Sequence, residues 1–162
     1  MRNAQPVWSR ALVLLCMFML ANCATPAMTS SAWLDFATLQ RGARPNQALA
    51  CNADICPMAR PTRAPIPLDA SSRRIADALA RIEPEAEFRA EEGGDIRARY
   101  VATTRFMRFR DDVDILIRPL SESQSVVGVF SRSRVGYSDL GANSGRIEAL
   151  ERRIRAELAG AR

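Results

Sequence analysis

Histidine and lysine are both absent from this chain of 162 residues, and each absence removes a class of chemistry. Without histidine there is no His-based triad, no imidazole general base and no His-containing metal site. Without either residue, a serine nucleophile would have only a carboxylate to take its proton. No Gly-x-Ser-x-Gly pattern is present. All 23 basic residues are arginine, a bias that with high alanine reflects GC-rich coding rather than a ligand. From Cys23 onward 21 arginines face 18 acids, a net of +3, too mild for a nucleic-acid interface, which needs a concentrated basic face. A membrane-spanning length is lacking too: the apolar run Ala11–Leu20 is well short of the roughly 20 residues that cross a bilayer.

What that run does fit is the core of an export signal. Arg2 and Arg10 supply the positive start, and Leu20-Ala21-Asn22-Cys23 reads as a lipobox. Leu20 and Ala21 comply with that pattern; Asn22 departs from it, since a small residue is usual there. Residues 1–22 are therefore expected to leave as a signal peptide, with acyl chains added at Cys23. Acylation contributes roughly 0.8 kcal/mol per buried methylene, so several chains together anchor stably. Ala24, where Asp would retain a lipoprotein at the inner membrane, points to the outer one. The alternative is ordinary cleavage after Ala24 or Ala27, which would release a soluble periplasmic protein.

The four cysteines divide by position. Cys16 would leave with the signal and Cys23 would carry lipid. Cys51 and Cys56 remain, in Cys51-Asn-Ala-Asp-Ile-Cys56. In an oxidising compartment such neighbours pair, so a local disulfide is expected, with reduced thiols as the alternative. Zinc would need two further ligands that the sequence does not supply. No metal and no cofactor are expected.

The mature chain is expected in two parts. Residues 23–68 read as a lipid-anchored tether followed by an extended proline-rich arm, with Pro57, Pro61, Pro65 and Pro67 excluding helix and central strand. Within it Trp33, Phe36 and Leu39 would pack on the domain or touch the membrane. Residues 69–160 read as a compact domain. Asp69, Ser71 and Ser72 offer caps to a helix whose Ile75, Leu79 and Ile82 form a stripe, and Pro84 stops it. Strands are expected at 87–90, 96–106, around Val113-Ile115-Ile117, and at 126–131, from their period of two. A final helix over 143–158 would place Ile147, Leu150, Ile154 and Leu158 on one side. Short connections make the strands antiparallel. The expected fold is α+β in two layers, a three- to four-stranded antiparallel sheet with helices on one face.

Two clusters are candidates for chemistry. In the segment from Ser131 to Arg146, Arg132, Arg134 and Arg146 sit beside Asp139 and Asn143 at the start of the last helix. Unpaired N–H groups at a helix start attract anions, and arginine forks bind carboxylate or phosphate at two points. An anion pocket is one reading. The other is a tightly folded connection with Asp139 paired to one of those arginines and Asn143 or Ser144 capping the helix. The second cluster, Asp111, Asp112 and Asp114, would either hold a hard cation or pair with arginines on adjacent strands, the more economical view.

Three stretches carry a family likeness: Arg44-Pro45-Asn46-Gln47-Ala48-Leu49-Ala50-Cys51, Phe109-Arg110-Asp111-Asp112-Val113, and Ser131 to Asn143. Over about residues 36–158 the chain resembles domain-of-unknown-function family 1499. The resemblance implies an envelope protein of bacterial or plastid type and supplies no catalytic set. The functional expectation is a non-catalytic lipoprotein on the periplasmic side, tied to the membrane by its anchor, which binds an envelope protein or an anionic ligand. The alternative is an envelope hydrolase of esters or phosphoesters working through Asp139 or the Asp111, Asp112 and Asp114 group.

Overall fold

The computed structural model describes residues 32–104 and 108–160, and the chain divides after Trp33. The stretches expected to be signal peptide and tether, with Cys23, lie outside the described residues except for the last residues before Leu34. From Leu34 onward the elements run β1 (Gln47–Ala50), β2 (Ile66–Leu68), α1 (Ser72–Ile82), β3 (Glu87–Ala90), β4 (Ile96–Thr103), β5 (Arg110–Pro119), β6 (Ser125–Ser133) and α2 (Ala142–Gly160). All strand pairs are antiparallel, in the order β1-β6-β5-β4-β3, with β2 also on β6. β1 and β2 share one edge of β6 end to end: Gln47–Ala50 pair with Val129–Arg132, and Ile66–Leu68 with Ser125–Val127.

The sheet thus has six strands rather than three or four, and the two extra ones come from the segment expected to be tether and arm. Both evade a pattern search for physical reasons. β1 is only four residues long and Ala48, Leu49 and Ala50 are all buried, so no alternation shows. β2 contains Pro67, which is tolerated because β2 lies at the sheet's edge.

Helices and sheet meet as their periodicities require. Ser71 caps α1, its hydroxyl accepting from the Arg74 N–H at 3.3 Å. Ile75 and Leu79 of α1, and Ile147 and Ile154 of α2, are fully enclosed. They pack on Ala98, Val113, Ile115, Ile117, Val127 and Val129, which alternate along β4, β5 and β6. Each such side chain contributes about 1.5–3 kcal/mol of burial. A second cluster occupies the other face of the sheet: Leu49, Leu116, Val126 and Phe130 beneath Phe36, Leu39, Ile55 and the Cys51–Cys56 disulfide. Its cover has no regular structure. Gly128 lets it lie flat, since a Cβ there would meet Ile55 Cγ2 at 3.3 Å and Phe36 Cε1 at 3.5 Å.

Candidate functional site

The segment from Ser131 to Arg146 leaves β6 at one end of the sheet and enters α2. Because side chains alternate along a strand, this cluster is split between two faces. Arg132 and Arg134 turn to the face away from the helices. Arg134 donates through Nε and Nη2 to Asp112 Oδ1, at 2.8 and 2.6 Å. Arg132 lies 3.6 Å from Asp112 and 5.6 Å over the Phe130 ring. The hydrogen bond to Asp112 raises the Arg134 pKa above its ordinary value. Arg146 is on the opposite side of the sheet, under α2, where Nη2 donates to Asp111 Oδ2 at 2.6 Å. The three arginines therefore do not converge on one pocket.

Ser131, Ser133 and Asp111 face α2, and there the segment closes into a buried polar network. Asn143 is its hub and is wholly enclosed. Its Oδ1 accepts from Ser131 Oγ and Arg146 Nη1, both at 2.6 Å. Its Nδ2 donates to the Asn46 carbonyl at 2.9 Å, Ser133 Oγ at 3.1 Å and Asp139 Oδ2 at 2.5 Å. Asp139 caps the helix start, accepting from the backbone N–H of Gly141 at 3.0 Å and of Asn143 at 2.8 Å. Asn143 sits inside the first turn as the hub instead of capping it, and Asp139 has no arginine partner among the described residues. Asn46 ties the network to the loop ahead of it, donating to the Gly136 carbonyl at 2.9 Å. Asn46 stands in one of the stretches that carry the family likeness, but neither spacing nor periodicity assigns it to this network. Only its place beside β1, a strand without a pattern of its own, brings it in.

Two of the three acids of the second cluster pair with arginine as the economical reading expects, Asp112 across the strands and Asp111 with an arginine on a helix. Asp112 holds Arg132 and Arg134. Asp114 is buried, which raises its pKa against the pull of the Arg132 and Arg99 charges. Among the described residues no group of acids and cysteines is arranged to hold a metal ion.

What the network presents outward is a loop, residues 134–141, whose apolar side chains face water. Val135 is 55% exposed, Tyr137 74% and Leu140 96%. Leu140 has φ of 52°, in the left-handed region a branched side chain avoids at a cost of about 1–2 kcal/mol. Phe109, 44% exposed, ends the β4–β5 connection at the same end of the sheet. Exposed Arg44, Arg108 and Arg110 lie at this end too, with no carboxylate partner among the described residues.

A family model described as "Protein of unknown function (DUF1499)" matches residues 22–154. The chain belongs to the DUF1499 family. The match contains all of the polar network and the exposed loop. No curated protein matches the chain. Among solved structures, the crystal structure of TTHA0849 from Thermus thermophilus is similar over 71% of this chain and 98% of its own, at 13% identity and a TM-score of 0.33. Among the described residues no helix is long and apolar enough to cross a membrane.

Proposed function

We propose that this DUF1499 chain is an exported, lipid-anchored envelope protein whose domain is a non-catalytic docking module, and that the 134–141 loop with Phe109 is the surface that meets a protein partner. One observation carries the reading: Leu140 is almost fully exposed and held in a left-handed backbone by a network anchored through Asp139, Asn143 and Asn46. Backbone strain that keeps an apolar side chain in water has no folding benefit, and strain of this kind collects at functional surfaces. Exposed Tyr137 and Leu140, at the same sheet end as Phe109 and as arginines without a carboxylate partner among the described residues, supply the apolar and charged groups of a protein interface, suited to a partner with acidic residues around an apolar patch.

Location bears on the choice of a protein over the bilayer. The chain enters the domain at Leu34, whose carbonyl accepts from Arg97 at 2.6 Å near the start of β4. The exposed loop lies at the other end of the strands, beyond Thr103 and Ser133. Six residues of strand at about 3.3 Å each put roughly 20 Å between the two poles. The Cys51–Cys56 disulfide supports an oxidising compartment. The hydrolase alternative has no such support, because Asp139 uses both carboxylate oxygens at the helix start and Asp112 is held by two arginines.

The test places a photo-crosslinking residue at Tyr137 in the full-length chain, with Glu85 as control, in cells fed labelled fatty acid. Acyl label lost with Cys23→Ser, and one discrete protein captured from position 137, lost with Leu140→Gly, is the expected result. Leu140→Gly removes the strain, so the variant is as stable as the parent or more so by about 1 kcal/mol. Capture unchanged in Leu140→Gly would refute the loop as the contact, and label retained in Cys23→Ser would refute the anchor.

A further inference from the structure

The loop cover of the second face stands apart from the rest of the domain in how its charge is balanced. Among the described residues, the partly buried arginines of this domain are almost all paired with a carboxylate. Arg63, Arg97, Arg99, Arg118, Arg132 and Arg146, each partly buried, all have a carboxylate within 4 Å. Arg41 is the exception: it is the one partly buried arginine without a carboxylate partner among the described residues. Its Nη1 donates to the Arg60 carbonyl at 2.6 Å, and its Nε is buried with no acceptor. Burial alone pulls its pKa below the ordinary value, with no acid nearby to restore it. The Nε is closed to solvent, so an outside anion would meet the rest of the guanidinium where it lines the surface, and there no carboxylate offsets its charge.

The surroundings are built to receive one. Arg41 lines a cleft of about 380 Å³ with Gln40, Gly42, Met58 and Arg60, and no carboxylate is among these residues. Both walls are fixed. Gln47 Nε2 donates to the Gly42 carbonyl at 2.7 Å, and Thr62 and the disulfide bind the 51–62 stretch to β1. The cleft is on the loop cover of the second face, apart from the polar network under α2.

We infer that this cleft binds a phosphate group, with the Arg41 guanidinium as the inner contact and Arg60 at the mouth. Two guanidinium charges match a phosphate, which carries about −1.5 to −2 at neutral pH, better than a singly charged carboxylate. The volume exceeds a bare phosphate and Met58 adds an apolar wall, so a phosphomonoester on a larger molecule fits, soluble or in a lipid headgroup.

The experiment is titration of the folded chain followed by amide chemical shifts, with inorganic phosphate, glycerol phosphate and acetate. Shifts confined to residues 39–42 and 58–60, saturating with phosphate and glycerol phosphate at least tenfold below acetate, are expected. Arg41→Gln and Arg60→Gln should each weaken phosphate at least fivefold, and Arg152→Gln, exposed on α2 and outside the cleft, should not. If Arg41→Gln unfolds, Arg60→Gln, whose residue is exposed, decides alone. Vesicles with phosphatidic acid against phosphatidylcholine alone then separate a lipid source from a soluble one. No saturable shift with phosphate, equal affinity for acetate, or affinity unchanged in Arg60→Gln would overturn the assignment.

Discussion

The two faces of the sheet are covered in opposite ways. Under the helices the cover is regular, and apolar residues at helical spacing meet apolar residues at strand spacing. On the other face the cover is loop, residues 34–46 and 51–59 on either side of β1, stapled by a five-residue disulfide and laid over Leu49, Leu116 and Phe130. The first cover is cooperative with the whole fold, because α1 and α2 also pack on each other and carry the Arg153–Glu83 and Arg81–Glu157 ion pairs. The second gains its order from the sheet beneath and from one covalent bond. Stability should therefore be global on one side and local on the other.

The largest effect should come from the polar corner of the helix face. Arg146→Ala leaves the Asp111 carboxylate, 1% exposed and already with Oδ1 unpartnered, without its counter-ion. Breaking a buried pair in this way costs about 3–5 kcal/mol. Urea unfolding should show that loss in one transition with an unchanged slope. Arg146→Met with Asp111→Leu should recover most of it, since the pair would then be replaced rather than broken. A loss below about 1 kcal/mol for Arg146→Ala would show that water reaches Asp111.

This division also explains what the sequence made legible. Both helices, and strands β3 to β6, announce themselves through periods of 3.6 and 2 and through Ser71, Pro84 and the glycines of the turns. The aperiodic cover of the second face sends no such signal: a strand of four buried residues and another containing Pro67 look like linker. The site fared in the same way. Ser131 to Arg146 is one cluster along the chain, yet the pleat sends Arg132 and Arg134 to one face and Ser131 and Ser133 to the other, where Arg146 reaches in from α2. Proximity in sequence measured composition; the strand's alternation decided geometry. Arg41 could not be singled out at all, because its isolation is defined by carboxylates that are elsewhere.

Reducing the Cys51–Cys56 bond sharpens the contrast from the other side. A loop of five residues stabilises by about 2 kcal/mol through the unfolded chain. In Cys56→Ser, amide exchange should quicken across residues 34–60 while Ile75, Leu79, Ile147 and Ile154 keep protection that falls only with global stability. Uniform loss of protection in helices and loop alike would mean that the two covers form a single cooperative unit.

The smallest effect tests where the loop cover stops. Asp114 points to the second face, between Phe130 and Arg99 in register, at the border between apolar cover and the charged rows of Arg99, Asp112 and Arg132. Burial raises its pKa, Asp112 adds to the rise, and Arg132 and Arg99 oppose it. The folded protein therefore holds this proton to higher pH than the unfolded chain does. Between the two pKa values the folded state binds more protons, so stability falls as pH rises through that window, and the cost is complete above it. Asp114→Asn should give a small rise in Tm at pH 7 and none at pH 3, where the carboxyl is protonated in both states. A Tm lower than the parent's at pH 7 would show that the two guanidinium charges outweigh burial, and that the charged rows, rather than the apolar cover, govern the solvation of this stretch of β5.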